Sequence, residues 1–251
     1  MSSDIWTLCG GNRLVRKRSL EVYRVVQGQA VNGLAKFVKN ASELEILEEM
    51  LENSKPPVPE EDKSDEKLIY TPFRYFLKDK GARFNGPNSP RVWYGSRDLN
   101  TCLREKAYHQ FCFIEDSVGL KDKSIDIIFT SFLSQWKSKR CVNLCSNSFK
   151  YHHDKITSPS SYFESQKLGE DMYNDSIEIF LFPSCRNPGK ENFGSFTPTA
   201  YVKNSLSKRR GWTAIFRPEL VTIIPHNRKF QGKAFDIQKS DFSVNGRFPR
   251  V

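Results

Sequence analysis

Glu105 and His109 lie four residues apart in a segment where Leu99, Cys102, Leu103 and Lys106 fall on adjoining faces of a helix. That spacing puts Glu105 and His109 on one face. A carboxylate held there can stabilise positive charge developing on a nearby carbon and orient an incoming nucleophile. Upstream, Arg83 sits in a glycine-flanked turn, Gly81-Ala82-Arg83-Phe84-Asn85-Gly86, preceded by Thr71-Pro72-Phe73-Arg74-Tyr75. Arginine presents a planar fork that matches phosphate oxygens, so Arg83 and Arg74 could grip a phosphorylated small molecule. Tyr94, after Val92 and Trp93, offers an aromatic face for stacking. Ser184 lies in Phe182-Pro183-Ser184-Cys185-Arg186-Asn187-Pro188-Gly189, followed by Asn192. No base stands near Ser184 in the sequence to make it a nucleophile, so a hydrogen-bonding role fits it better. Asn192 could fix the loop or touch a ligand. Each of these residues also has a structural reading: an exposed helix glutamate, a surface arginine, a core tyrosine, a histidine satisfying the core.

The elements that must position these residues alternate without a βαβ rhythm. Leu20–Gln29 reads as a strand or a buried turn of chain. Ser42-Glu43-Leu44-Glu45 has the pattern of a capping box and opens an amphipathic helix bearing Leu44, Leu47 and Leu51. Pro56 and Pro57 forbid its continuation. Leu68–Tyr75 and Val92–Tyr94 read as strands, and Asp98 caps a helix running to about Phe113. Ile125–Phe132 could be strand or helix, Tyr162–Met172 a helix, Ser176–Phe182 a strand ending at Pro183, and Trp212–Ile224 further strand. This mixture predicts an α+β fold. Residues 56–67 form an acidic, proline-rich linker, the best boundary in the chain. It would separate an N-terminal leader (1–55), packing on the core, from a domain spanning 68–251 with a C-terminal extension.

The 251 residues carry a net charge of +10, unevenly spread. Residues 1–40 hold seven Lys/Arg against two Asp/Glu, residues 41–66 two against ten, and the remainder 30 against 17. A basic body attracts anions: nucleic acid, an acidic protein surface or a phosphorylated small molecule. The six cysteines are scattered, and Cys141-x-x-x-Cys145 with His152 and His153 downstream does not make a four-ligand metal site. No metal is expected, and reduced thiols in a cytosol-like compartment are the reading preferred. No apolar run is long enough to span a membrane, and the N-terminal order of apolar patch and basic cluster is the reverse of a secretory signal.

Taken in order, the Arg83 turn, the Tyr94 strand end, Glu105, then Ser165-Gln166-x-x-Gly169, a strand, Ser184 and Asn192 resemble the RES domain family. The steps from Arg83 to Tyr94 and from Tyr94 to Glu105 are both 11 residues, and the resemblance runs over roughly 68 to 216. Lys190-Glu191 departs from the family's plain glycine-rich turn, and the N-terminal part is similar to the leader of one branch of the family. The resemblance implies an ADP-ribosyltransferase-like mixed β core with a central cleft and flanking helices. It implies cleavage of the nicotinamide–ribose bond of NAD+, with water or inorganic phosphate as acceptor, by a toxin acting in the cytoplasm, whether of its producer or of another cell. Glu105, Arg83 and Ser184 would be catalytic, and Arg74, Tyr75, Tyr94, Asn192 and His109 would bind NAD+. NAD+ is then a substrate, and no resident cofactor is implied. A small antitoxin or immunity protein would cover the cleft. Two alternatives stay open: a mono-ADP-ribosyltransferase with a protein target, and a basic nucleic-acid-binding module using the Arg13–Arg18 cluster. No zinc-finger or RNP-like motif supports the latter.

Overall fold

A computed structural model describes residues 4–28, 37–56, 67–74, 81–87, 89, 91–227 and 232–250. In chain order its elements are α1 (Ile5–Cys9), β1 (Arg16–Gln27), α2 (Ala41–Ser54), α3 (Lys67–Arg74), β2 (Trp93–Ser96), α4 (Leu99–Asp116) and β3 (Ile125–Asn143). Then follow α5 (His153–Ile156), α6 (Phe163–Asn174), β4 (Ile179–Pro183), β5 (Glu191–Ser195), β6 (Ser207–Phe216), β7 (Leu220–Pro225) and β8 (Phe235–Gln238). The fold is α+β, built on one mixed eight-stranded sheet in the order β1-β2-β5-β4-β3-β6-β7-β8.

The sheet closes on itself. β1 pairs antiparallel with β3 along nearly its whole length and meets β2 at Tyr23–Ser96. β2 pairs with β5, β5 with β4, and β4 runs parallel to the end of β3. Five strands thus form a ring, and all five send side chains into one cluster containing Val22, Trp93, Phe132, Trp136, Leu181 and Phe193. The rings of Trp93 and Trp136 are 4.7 Å apart, and those of Trp136 and Phe193 5.2 Å. Each such side chain contributes ~1.5–3 kcal/mol on burial, which makes the ring a rigid support. From the 19-residue β3 the sheet continues as the β6–β7–β8 meander, and α4 packs Leu103, Ala107 and Phe111 on that wing. A third cluster joins α1 and α6 to Phe180 and Phe182 of β4. β4 is therefore buried on both faces, which is why its sequence alternates only weakly.

Several elements differ from the sequence expectation. Residues 67–74 are helical, although Leu68–Tyr75 reads as a strand; a short apolar run cannot settle the choice by periodicity. Pro72 cannot donate to the Leu68 carbonyl, and the Trp93 indole N–H fills that vacancy at 3.3 Å. α2 is capped two residues earlier than Ser42: Asn40 accepts from the Glu43 amide, and Glu43 accepts from the Lys39 amide. Both Asn40-x-x-Glu43 and Ser42-x-x-Glu45 fit the capping pattern, so sequence alone does not choose. The segment read as 125–132 is the first part of a strand reaching Asn143. The linker residues 57–66 and Tyr75 lie outside the described residues.

Candidate active site

Helix α4 forms one wall of the candidate site. Asp98 caps it by accepting from the Thr101 amide at 2.9 Å, and Cys102, Glu105, Lys106 and His109 then share one face at the spacings of adjacent turns. That face forms one wall of a cavity of about 380 Å³, within the roughly 300–1,000 Å³ of small-molecule sites. β1 contributes Arg24 and Val25, the 81–83 segment Arg83, β2 Tyr94 and Ser96, and the later chain Tyr162, Arg186 and Asn192.

Glu105 is held asymmetrically. Ser184 Oγ donates to its Oε1 at 2.7 Å and Asn192 Nδ2 donates to the same oxygen at 2.6 Å. No described residue donates to Oε2. Behind Asn192, Ser96 Oγ donates to Asn192 Oδ1 at 2.7 Å, which fixes the amide with its N–H toward the carboxylate. Behind Ser184, the Asn187 amide donates to Ser184 Oγ at 3.0 Å, and Asn187 Nδ2 donates to Thr101 Oγ1 at 2.8 Å. Thr101 in turn donates to the capping carboxylate of Asp98 at 2.6 Å. One hydrogen-bonded chain therefore runs from the helix cap to the glutamate about two turns on. Ser184 and Asn192 are 4% exposed each. Ser184 does not line the cavity, so its place is behind the carboxylate rather than facing a ligand.

The Arg83 turn is fixed from three sides. The Ala82 amide donates to the Asn85 carbonyl at 2.7 Å. Tyr94 Oη accepts from the Phe84 amide at 3.0 Å and donates to Asn85 Oδ1 at 3.1 Å, and burial raises the Tyr94 pKa. Gln166 Nε2 donates to the Ala82 carbonyl at 3.1 Å. Gly169 is what lets α6 approach: a Cβ there would lie 2.0 Å from the Phe84 carbonyl oxygen. Arg83 itself donates to the carbonyls of Ile156 (3.2 Å) and Ser158 (2.9 Å), with its guanidinium 4.5 Å from the Tyr162 ring centre. Arg186 stacks 3.4 Å from the Tyr108 ring centre and reaches the Pro159 carbonyl.

Arg24, Arg83, Lys106 and Arg186 thus face a single lining carboxylate, Glu105, and none of the four forms an ion pair with a described residue. His109 stands on the same wall. Although the residue is exposed to solvent, desolvation of its ring lowers its pKa, Glu105 opposing and Arg186, Lys106 and Arg83 adding to the effect. A neutral imidazole at pH 7 follows.

The structure brings Glu105, Arg83, Tyr94, His109 and Asn192 to one cavity, with Ser184 directly behind it. It does not bring Arg74 there. Arg74 is buried against Glu52 of α2 and the Pro56 carbonyl. It is a structural arginine because α3 points it at α2, and sequence spacing alone could not reveal that direction. Tyr94 spends its hydroxyl on the Arg83 turn. Sequence reasoning missed Arg24, Lys106, Tyr162 and Arg186. Of these, Arg186 lay inside the Ser184 motif, and Arg24 stood out as a charge within the apolar run Val22–Val26.

The RES domain model matches residues 60–214. This chain belongs to the RES domain family. No curated protein matches it. Among solved structures, a chain of the crystal structure of the M.tuberculosis MbcT-MbcA toxin-antitoxin complex is similar at 12% identity and a TM-score of 0.47, covering 86% of this chain and 94% of that one. The residues that line or support the RES cavity fall inside the matched span except Arg24 and Val25 of β1. No described helix is long and apolar enough to cross a membrane. No described group of three or more His, Cys, Asp or Glu could hold a metal ion.

Proposed function

We propose that this RES protein cleaves the nicotinamide–ribose bond of NAD+ and acts as a toxin restrained by a small antitoxin protein. The observation that carries the reading is the asymmetric clamp on Glu105: one oxygen saturated by Ser184 and Asn192, the other left for a ligand. As the C–N bond breaks, its electron pair leaves with neutral nicotinamide and positive charge builds on the ribose. A carboxylate oxygen fixed beside that carbon stabilises the charge without reorganising, an effect worth ~10²–10³ in rate for a single preorganised group. An incoming water or phosphate then forms the new bond, and water gives its proton to Glu105 or neutral His109. The products are nicotinamide with ADP-ribose, or with ADP-ribose 1″-phosphate.

Arg83 and Arg186 suit the dinucleotide's pyrophosphate. Both are pinned by stacking and by backbone carbonyls, so little side-chain entropy remains to be lost on binding. Tyr108 and Tyr162 supply aromatic surface behind them. The antitoxin reading rests on the family resemblance and on the company of the similar solved chain; its predicted place is over the cavity mouth. Mass analysis of products from NAD+, with and without phosphate, tests the reaction. ADP-ribose or its 1″-phosphate beside nicotinamide supports it. Label transferred to a protein instead makes the chain a mono-ADP-ribosyltransferase, and intact NAD+ contradicts both.

A further inference from the structure

The four cavity cations fall into two pairs by how they are held. Arg83 and Arg186 donate to backbone carbonyls and lie against the rings of Tyr162 and Tyr108. Arg24 of β1 and Lys106 of α4 make no such bonds among the described residues and are near enough to one another for Arg24 to act on Lys106. Glu105 lines the same cavity.

The second pair has no resident counter-charge. Arg24 Nη1 is buried without a hydrogen-bond partner among the described residues, and the guanidinium rests 4.6 Å from the Trp93 ring centre. Lys106 is half-buried, with Nζ 5.7 Å from the Phe129 ring centre. Burial pulls Arg24 down to about 10 and lowers Lys106, whose neighbour Arg24 adds to the effect. Both remain charged at neutral pH. Two like charges held side by side in a partly desolvated wall are costly unless an anion joins them. The pinned pair differs: Arg83 and Arg186 hold carbonyls, and the pyrophosphate is the anion assigned to them above.

We infer that Arg24 and Lys106 form a second phosphate subsite in this cavity, which takes a phosphate dianion in addition to the pyrophosphate. The dianion has two chemical sources: a monoester on the dinucleotide itself, as in a 2′-phosphorylated ligand, or free orthophosphate. Glu105 and one pyrophosphate together bring three negative charges to four cations, so the cavity keeps positive charge for a further anion. The inference rests on the dinucleotide reading of the cavity, and free orthophosphate is the source that can be tested apart from it.

Calorimetric titration of the full-length chain with ADP-ribose, ADP-ribose 2′-phosphate and orthophosphate tests it without requiring turnover. In the wild-type protein the 2′-phosphate is expected to tighten binding about tenfold or more over ADP-ribose, the scale of charge-assisted hydrogen bonds. Arg24→Gln and Lys106→Gln should each collapse that ratio toward one, Arg24→Lys should partly restore it, and Arg83→Gln should weaken both ligands while keeping the ratio. Orthophosphate binding that is lost in the Arg24 and Lys106 variants, with no preference between the two nucleotides, assigns the subsite to free phosphate. If the Arg24 and Lys106 variants match the wild-type protein for all three probes, the subsite does not exist. ADP-ribose failing to bind any form would contradict the dinucleotide reading, while orthophosphate would still report on the pair.

Discussion

At the residue scale the account turns on which oxygen of Glu105 is occupied. Ser184 donates to Oε1 from behind the cavity wall, so its role is to position the carboxylate. Ser184→Ala is therefore expected to lower kcat about 10- to 100-fold, the cost of one hydrogen bond to a charge, with KM changed little. Steady-state kinetics check this; complete loss in the variant, together with an ADP-ribosyl-serine adduct trapped on the wild-type protein, would make Ser184 a nucleophile instead. Asn192→Asp should be worse than Asn192→Ala, because it places a second carboxylate against Glu105 where an amide now donates. Glu105, Arg83, Tyr94, His109 and Asn192 were legible as a group because their order and spacing survive in the sequence. Arg74 was misread for the converse reason. Its motif is local, whereas its partners Glu52 and Pro56 come from an element about 20 residues earlier.

At the scale of elements, the site depends on α4 and on the α6–turn contact. Asp98 both caps α4 and terminates the chain of hydroxyls and amides leading to Ser184. Asp98→Ala should cost about 1 kcal/mol of stability, as a lost N-cap does, measured by denaturant midpoint, and should also reduce turnover. Gly169→Ala has a sharper effect. Its Cβ would collide with the Phe84 carbonyl at 2.0 Å, so either α6 or the Arg83 turn must shift. A displacement of ~1 Å at a binding group is enough for a roughly 10²-fold loss; activity and melting temperature should fall together. The capped helix was readable because Asp98 and the following periodicity agree. The α3 segment was not, because its eight residues lack a decisive period and its stability comes from Trp93 of another element.

At the scale of the whole molecule, the closed five-strand ring could not be read in advance. It needs β3 to pair with β1 on one edge and with both β6 and β4 on the other, a long-range arrangement that no local pattern encodes. The α+β class was readable, since it requires only the mixture of elements. The N-terminal helix is joined to this body by the burial of Ile5 and Trp6 and by the Trp6 indole N–H, which donates to Asp175 at 2.6 Å, and an acid pair sits at the same seam. Asp171 of α6 lies beside Asp4, which caps α1; burial and the Asp4 carboxylate push Asp171 up to about 6. Its folded pKa exceeds the unfolded value of 3.8, so the folded state binds more protons between about pH 4 and pH 6. This group's contribution to stability is present below that window and lost as pH rises through it. Asp171→Asn should accordingly raise the melting temperature at pH 7 and leave it nearly unchanged at pH 4; an equal shift at both pH values would contradict the assignment.

The central claim is that the free oxygen of Glu105 stabilises departure of nicotinamide. Time-resolved proton NMR of NAD+ with the full-length chain measures that departure directly. Free nicotinamide should accumulate with the wild-type protein and slow about 10²-fold or more with Glu105→Gln, which keeps the side chain's shape but not its charge. Equal release from both proteins, or no release from the wild type, would contradict the account.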